Sequence, residues 1–139
     1  MNKKVRKLQI LIKQKEQEIR DKKKLIAKEE EELDRYTYKI KTLDETYEKE
    51  RALVQKHGVP ESWTYYVQGY KMARNGFMEI HRKLSAVVSK YDQQILEIYQ
   101  DMKAFDLYEK QIQHDIKKDM EKKEQSGLDD LSSRKNKQS

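Results

Sequence analysis

Eight apolar side chains recur at intervals of seven through the first half of the chain: Val5, Ile12, Ile19, Ile26, Leu33, Ile40, Tyr47 and Val54. A strict seven-residue repeat of this length specifies helices wound into a left-handed supercoil, because 3.6 residues per turn keeps an apolar seam facing a partner only if the helices coil. The positions three residues later are mixed: Leu8, Lys15, Lys22, Glu29, Tyr36, Leu43 and Glu50. Leu11, Leu25 and Leu53 widen the apolar stripe on its other side. No Gly or Pro interrupts the run before Gly58.

A second ladder of the same period follows: Trp63, Tyr70, Phe77, Leu84, Tyr91, Ile98, Phe105 and Ile112. Its companions are first Tyr66, Ala73, Ile80 and Val87, three residues on. Beyond Val88 they move one residue further, to Ile95, Met102 and Ile116. This shift predicts a change in the relative rotation of the helices along their length.

The break between the ladders is His57-Gly58-Val59-Pro60-Glu61-Ser62. Gly58 suits a helix C-cap, and Pro60 with Glu61 suits the first turn of a following helix. So short a link makes the two helices antiparallel neighbours. Residues whose numbers add to about 117 then face each other, such as Val54 with Trp63, Leu33 with Leu84 and Val5 with Ile112. The predicted fold is all-α: a long two-helix antiparallel coiled-coil hairpin over residues 1–125, with its turn near 57–62. Each arm of some 55 residues is roughly 80 Å long. Helix 1 is expected over about 3–56 and helix 2 over about 61–124. Gly127 and the run from Ser132 to Ser139 predict a flexible basic tail over 126–139.

Composition excludes several alternatives. Charged residues make up 40% of the chain and hydrophobic residues 35%, too little apolar material for a thick globular core. Four Gly and one Pro in 139 residues argue against a turn-rich sandwich or a doubly wound sheet. The absence of Cys excludes disulfides and thiolate chemistry. The apolar stretch Leu8 to Ile12 is too short for a secretory core, no small-residue cleavage site follows, and no run approaches membrane-spanning length. The expected location is therefore cytoplasmic.

Charge is unevenly placed. Residues 1–28 carry 11 basic and 3 acidic side chains, whereas residues 29–50 carry 4 and 9. The end bearing both termini is predicted to be the basic one. Glu29 to Glu32 are expected near Arg82, Lys83 and Lys90, fixing register more than adding stability.

Catalytic signals are missing. No Gly-rich loop precedes a Lys-Ser/Thr pair, and His57, His81 and His114 are far apart without metal-ligand spacing. No catalytic residue, cofactor or metal is expected. The basic N-terminal segment lacks the basic–aromatic interleave and recognition helix of a nucleic-acid binder, so nucleic acid is disfavoured as the main partner. Nine of the twelve aromatics lie between Tyr36 and Tyr91. Most fall on the seam, but Tyr65, Gly69, Met72 and Gly76 follow the spacing i, i+4, i+7, i+11 and make a second stripe outside it. That stripe is a candidate docking face.

Past the second ladder the chain reads Glu124-Gln125-x-x-Leu128-Asp129-Asp130-Leu131-x-x-Arg134. With the hairpin architecture, the basic balance and the lack of Cys, this resembles the FliJ/SctO family, small stalk proteins of flagellar and injectisome type III export machines. Members commonly end in Glu-Gln-x-x-Leu-Asp-Glu-Leu; here Asp130 stands in place of the Glu. The resemblance implies a non-catalytic protein that enters a hexameric export ATPase, reaches the export gate protein and contacts export chaperones. It would work at the periphery of a membrane-embedded apparatus without inserting into the membrane. The basic start of helix 1, with Ile10 off the seam among cations, offers Arg6, Lys7, Ile10 and Lys13 as the ATPase contacts, and by the resemblance Glu124, Gln125, Leu128, Asp129 and Leu131 join them. Gate contacts in the family follow i, i+4, i+7, i+11 spacing. Two seam sets here share it, Tyr36, Ile40, Leu43, Tyr47 and Tyr66, Tyr70, Ala73, Phe77; Tyr65 and Met72 lie beside the second. The rival readings are a generic coiled-coil scaffold or chaperone-like adaptor, and a nucleic-acid-binding hairpin.

Overall fold

The computed structural model describes residues 2–138, with side chains up to Lys135. Two helices account for nearly all of it: α1, Lys3–His57, and α2, Trp63–Gln138. They form an all-α helical hairpin, as the two ladders predict.

The helix ends have identifiable causes. Asn2 caps α1: its side-chain oxygen accepts the Lys4 N–H at 2.8 Å and its carbonyl accepts the Arg6 N–H at 3.0 Å. At the other end Gly58 adopts φ = +98°, and its N–H donates to the Val54 carbonyl at 2.9 Å. This is the left-handed cap that glycine adopts without a Cβ penalty. Lys56 and His57 sit in the last turn, where positive charge meets the negative end of the helix dipole.

The link differs in detail from expectation. Pro60 is not in the first turn of α2. Its carbonyl accepts the Trp63 N–H at 3.1 Å, closing a turn, and the Ser62 carbonyl accepts the first helical bond, from the Tyr66 N–H at 3.0 Å. Ser62 is therefore the cap residue of α2.

The far end of α2 is a larger departure. The helix continues through Glu124 and Gly127 to Gln138, where the sequence predicts a tail from 126. Gly127 keeps helical geometry, and Gln125 donates to Asp129 one turn on at 3.1 Å. A single Gly costs a helix only about 1 kcal/mol against Ala, and the strong helix formers around it outweigh that. Met1 and Ser139, the ends of the predicted hairpin and tail, lie outside the described residues.

The chain divides into two compact units. One holds the chain up to Glu18 together with everything from Glu97 on; the other is Ile19–Leu96 and contains the turn. In the terminal unit Val5, Leu8 and Ile98 are buried. Ile12, Phe105 and Ile112 are half-buried beside them in sequence. Gln9 donates to Glu109 at 3.3 Å, and Lys15 reaches Asp101 at 3.9 Å. In the turn unit Ile19 is buried, and Ile26, Leu33, Ile40, Tyr47, Val54, Trp63, Tyr70, Phe77, Leu84 and Tyr91 are half-buried. A pair of helices has one seam covered from one side, so few of its side chains can be fully enclosed. Lys22, at a seam position, donates to Gln94 at 2.9 Å and lies over the Tyr91 ring. Its apolar stem packs while its ammonium finds a partner.

Two expectations about the seam are corrected. Leu11, Leu25 and Leu53 are exposed, so the stripe of α1 does not widen on that side. The companions of the second ladder do not switch halfway. In the turn unit Val67, Arg74, His81, Val88 and Ile95 already sit half-buried four residues after their ladder partners, and Met102 and Glu109 do so in the terminal unit. Of the companions expected three residues after theirs, Ala73 and Val87 are half-buried while Tyr66 and Ile80 are exposed, and Ile116, expected four after Ile112, is exposed too. Polar Arg74 and His81 hide this register from an apolar count, because each is held by a partner on α1. Arg82 pairs with Glu79, and Glu32 with Arg35, each within its own helix.

Candidate functional site: two exposed faces and an aromatic clasp

The turn unit is locked by aromatic packing. Tyr47 of α1 stacks on Tyr70 with centroids 4.0 Å apart and planes 7° from parallel, and also meets Trp63 at 6.0 Å and Tyr66 at 6.3 Å. Trp63, Tyr66 and Tyr70 follow i, i+3, i+7 spacing and so share one face of α2. Two turns further from the loop, Phe77 meets Tyr36 edge-on at 6.0 Å, and the Lys39 ammonium lies 4.7 Å from the Tyr36 centroid.

Beside this stack sits a polar clasp. The Tyr70 hydroxyl donates to Asp44 at 2.5 Å, and the Arg74 Nε donates to the same carboxyl oxygen at 3.0 Å. The hydrogen bond from Tyr70, aided by Arg74, holds the Asp44 carboxyl below its ordinary range. The same bond pushes the Tyr70 hydroxyl up, and burial beside Glu50 pushes Tyr66 up. His81 bonds the Thr37 hydroxyl at 3.2 Å.

These contacts occupy part of the predicted gate set. Tyr70, Ala73 and Phe77 are half-buried on the seam, and Tyr66 is engaged in the aromatic stack although a third of it stays open. Tyr65 and Met72 are different: they are 79% and 75% exposed. Gly69 and Gly76, between and beyond them, face open space, with nothing within 4 Å of where a Cβ would stand. Across the hairpin seam a groove of about 350 Å³ is lined by Tyr38, Lys39, Thr42, Leu43, Thr46 and Phe77.

The predicted ATPase set is split by the structure. Arg6, Lys7, Ile10 and Lys13 are exposed on α1, with Ile10 50% accessible among the cations. Asn2, Lys3 and Lys4 lie against Ile112, Asp115, Ile116 and Asp119 of α2. The start of α1 therefore meets α2 well short of the Glu124–Leu131 stretch. At 1.5 Å per residue, Leu131 lies about 18 Å along the helix from Asp119. Glu124, Gln125, Leu128, Asp129 and Leu131 are all exposed on a part of α2 that has no helix beside it among the described residues. The two halves of the predicted set are thus brought to the same unit but not to one patch.

Among the described residues no group of three or more His, Asp or Glu could hold a metal ion. Nor, among them, is any helix long and apolar enough to cross a membrane. Comparison with protein families, with curated proteins and with solved structures returned no match.

Proposed function

We propose that this chain is a non-catalytic stalk and coupling protein of a type III export apparatus, flagellar or injectisome, engaging the export ATPase hexamer and linking it to the export gate. One observation carries the reading. The segment with the family-like Glu-Gln-x-x-Leu-Asp-Asp-Leu pattern is helical, projects past the paired region, and leaves Leu128 and Leu131 exposed three residues apart on one side. Exposed leucines on an unpaired helix are poorly stabilised in water and well suited to a partner's groove.

The basic face of α1 supports the same reading from a second position. Arg6, Lys7 and Lys13 flank Ile10, and a positive surface steers the protein into an acidic or dipole-lined channel. A projecting helix and a basic collar at different heights suit a long channel better than a flat surface. The export gate and export chaperones are assigned to the turn unit, where Tyr65 and Met72 lie open.

The test is the turnover of the cognate export ATPase. Wild-type chain raises ATP hydrolysis by that enzyme and adds none of its own. Removing residues 124–139, or combining Arg6→Glu with Lys7→Glu, abolishes the stimulation with helical content otherwise retained. Undiminished stimulation by both variants overturns the stalk assignment and leaves a generic coiled-coil scaffold as the better reading.

A further inference from the structure

A pair of helices that buries only its own seam needs a narrow apolar stripe, whereas a helix packed among several neighbours needs a wider one. The turn unit carries the wider stripe. Along one flank of its seam α1 presents Leu25 and Leu53, each one residue before a ladder member, and α2 presents Tyr66, Ala73, Ile80 and Val87, each three residues after one. The opposite flank is the one the hairpin closes: Asp44 and Thr37, four residues after their ladder members on α1, reach Arg74 and His81 on α2. Leu25, Leu53, Tyr66 and Ile80 stay exposed. The polar flank is thus closed and the apolar flank left open.

The groove of about 350 Å³ lies on the open flank, between Tyr38, Lys39, Thr42, Leu43 and Thr46 of α1 and Phe77 of α2. Its polar groups are turned away from it. The Lys39 ammonium lies over the Tyr36 and Phe77 rings, 4.7 Å and 5.7 Å from their centroids, and the Thr46 hydroxyl donates back to the Thr42 carbonyl at 2.9 Å. An apolar furrow between two packed helices seats a third helix, whose side chains fill it.

Charge decides which kind of helix. By helical spacing Arg35, Lys39, Lys49, Lys56 and Lys83 line the open flank around the groove. Two acids come near them: Glu32 is held by Arg35 at 3.2 Å, and Glu50 stands toward Tyr66. Glu45, further round α1, is held by Lys41 at 4.0 Å. Among the described residues no carboxylate lies within ion-pair distance of Lys39, Lys49 or Lys56. The closed flank is balanced instead, mixing Lys41, Arg51 and Lys71 with Asp34, Asp44 and Glu48. A second copy would set lysines against lysines on the open flank. A flat anionic bilayer would meet the cations and leave the groove unfilled.

We infer that the open flank of the turn unit, centred on the groove of Lys39, Leu43, Thr46 and Phe77, docks an acidic amphipathic helix of a partner protein. The docked helix lays its apolar stripe against Leu53, Tyr66 and Ile80 and sets Glu or Asp side chains along its edges against Lys39 and Lys49. The site belongs to the turn unit and stands or falls separately from the ATPase contacts, which belong to the terminal unit.

The probe is a synthetic peptide of about four heptads with Leu on its apolar stripe and Glu beside it, together with a twin carrying Lys for every Glu. Binding to the full-length chain is read by fluorescence anisotropy. Because the chain has no cysteine, alkylation of the single thiol in Thr42→Cys or Lys71→Cys protein reports which flank is covered. The acidic peptide is expected to bind at least about tenfold tighter than its twin, and more weakly as salt rises. It slows alkylation of Thr42→Cys protein and leaves that of Lys71→Cys protein unchanged. Lys39→Glu with Lys49→Glu, and separately Leu53→Gln with Ile80→Gln, each raise the dissociation constant by at least about tenfold with helical content retained. Lys41→Glu with Lys71→Glu, the same change of charge on the closed flank, leaves it within about twofold. No binding of the acidic peptide at high micromolar concentration overturns the inference, as does equal binding of the twin or equal loss from the two charge-reversed pairs. So does a chain that ignores the peptide and binds phosphatidylglycerol vesicles through Lys39 and Lys49, which would make the flank a membrane surface.

Discussion

Tyr70 on α2 donates its hydroxyl to Asp44 on α1 at 2.5 Å, and this bond ties the aromatic stack to a carboxylate that also accepts from Arg74. It makes the turn unit sensitive to pH at both extremes. Asp44 titrates below its ordinary 3.8 in the folded chain, so its stabilisation is full above 3.8 and is lost as pH falls through the lowered value. Tyr70 titrates above its ordinary 10.0, so its stabilisation is full below 10.0 and is lost as pH rises through the raised value. Thermal melts across pH should show the acid loss reduced in Asp44→Asn and the alkaline loss reduced in Tyr70→Phe. The clasp is more than a third open to water, so at neutral pH each variant should cost no more than about 1 kcal/mol.

Core substitutions should separate buried from exposed positions. Ile19→Ala and Ile98→Ala remove side chains that are almost wholly enclosed, and each should cost about 2–4 kcal/mol in denaturant unfolding. Ile40→Ala and Leu84→Ala, half-buried, should cost less. Lys13→Ala should change stability by well under about 1 kcal/mol. Uniformly small effects would show that the seam does not hold the helices together.

Gly58→Ala should destabilise the hairpin. The residue sits at φ = +98° with open space around it, so the penalty comes from the backbone and not from a clash. A loss of about 1–2 kcal/mol is expected. Gly127→Ala should do the opposite, raising helical content measured by circular dichroism, because Gly127 is helical and nothing opposes a Cβ there.

The antiparallel register can be checked within each unit. Cysteines at Val54 and Trp63 in the turn unit, or at Ile12 and Phe105 in the terminal unit, should cross-link inside a single chain on oxidation. Bonds formed only between chains would show a different pairing. The contacts that fix the register point the same way: Gln9 with Glu109, Thr37 with His81 and Asp44 with Arg74 each fall within about one residue of the pairing that the two ladders imply.

By itself the sequence determined the helices, their antiparallel pairing and most of the seam. Sixteen apolar residues at a strict period of seven leave a long helix one face to bury, and Gly58 with Pro60 leaves one place to turn. It also singled out Tyr65 and Met72 as lying off the seam, since helical spacing alone sets the angle between faces. Three things needed the tertiary structure. The companion register of α2 runs through Arg74 and His81, and a polar residue reads as a seam position only once Asp44 and Thr37 are seen to satisfy it. The end of α2 could not be read from Gly127, because helix formation is cooperative and a single glycine does not outweigh its neighbours. The separation of Arg6–Lys13 from Glu124–Leu131 follows from where Asn2 meets Ile112 and Asp119, and only the packing of one helix against the other decides that.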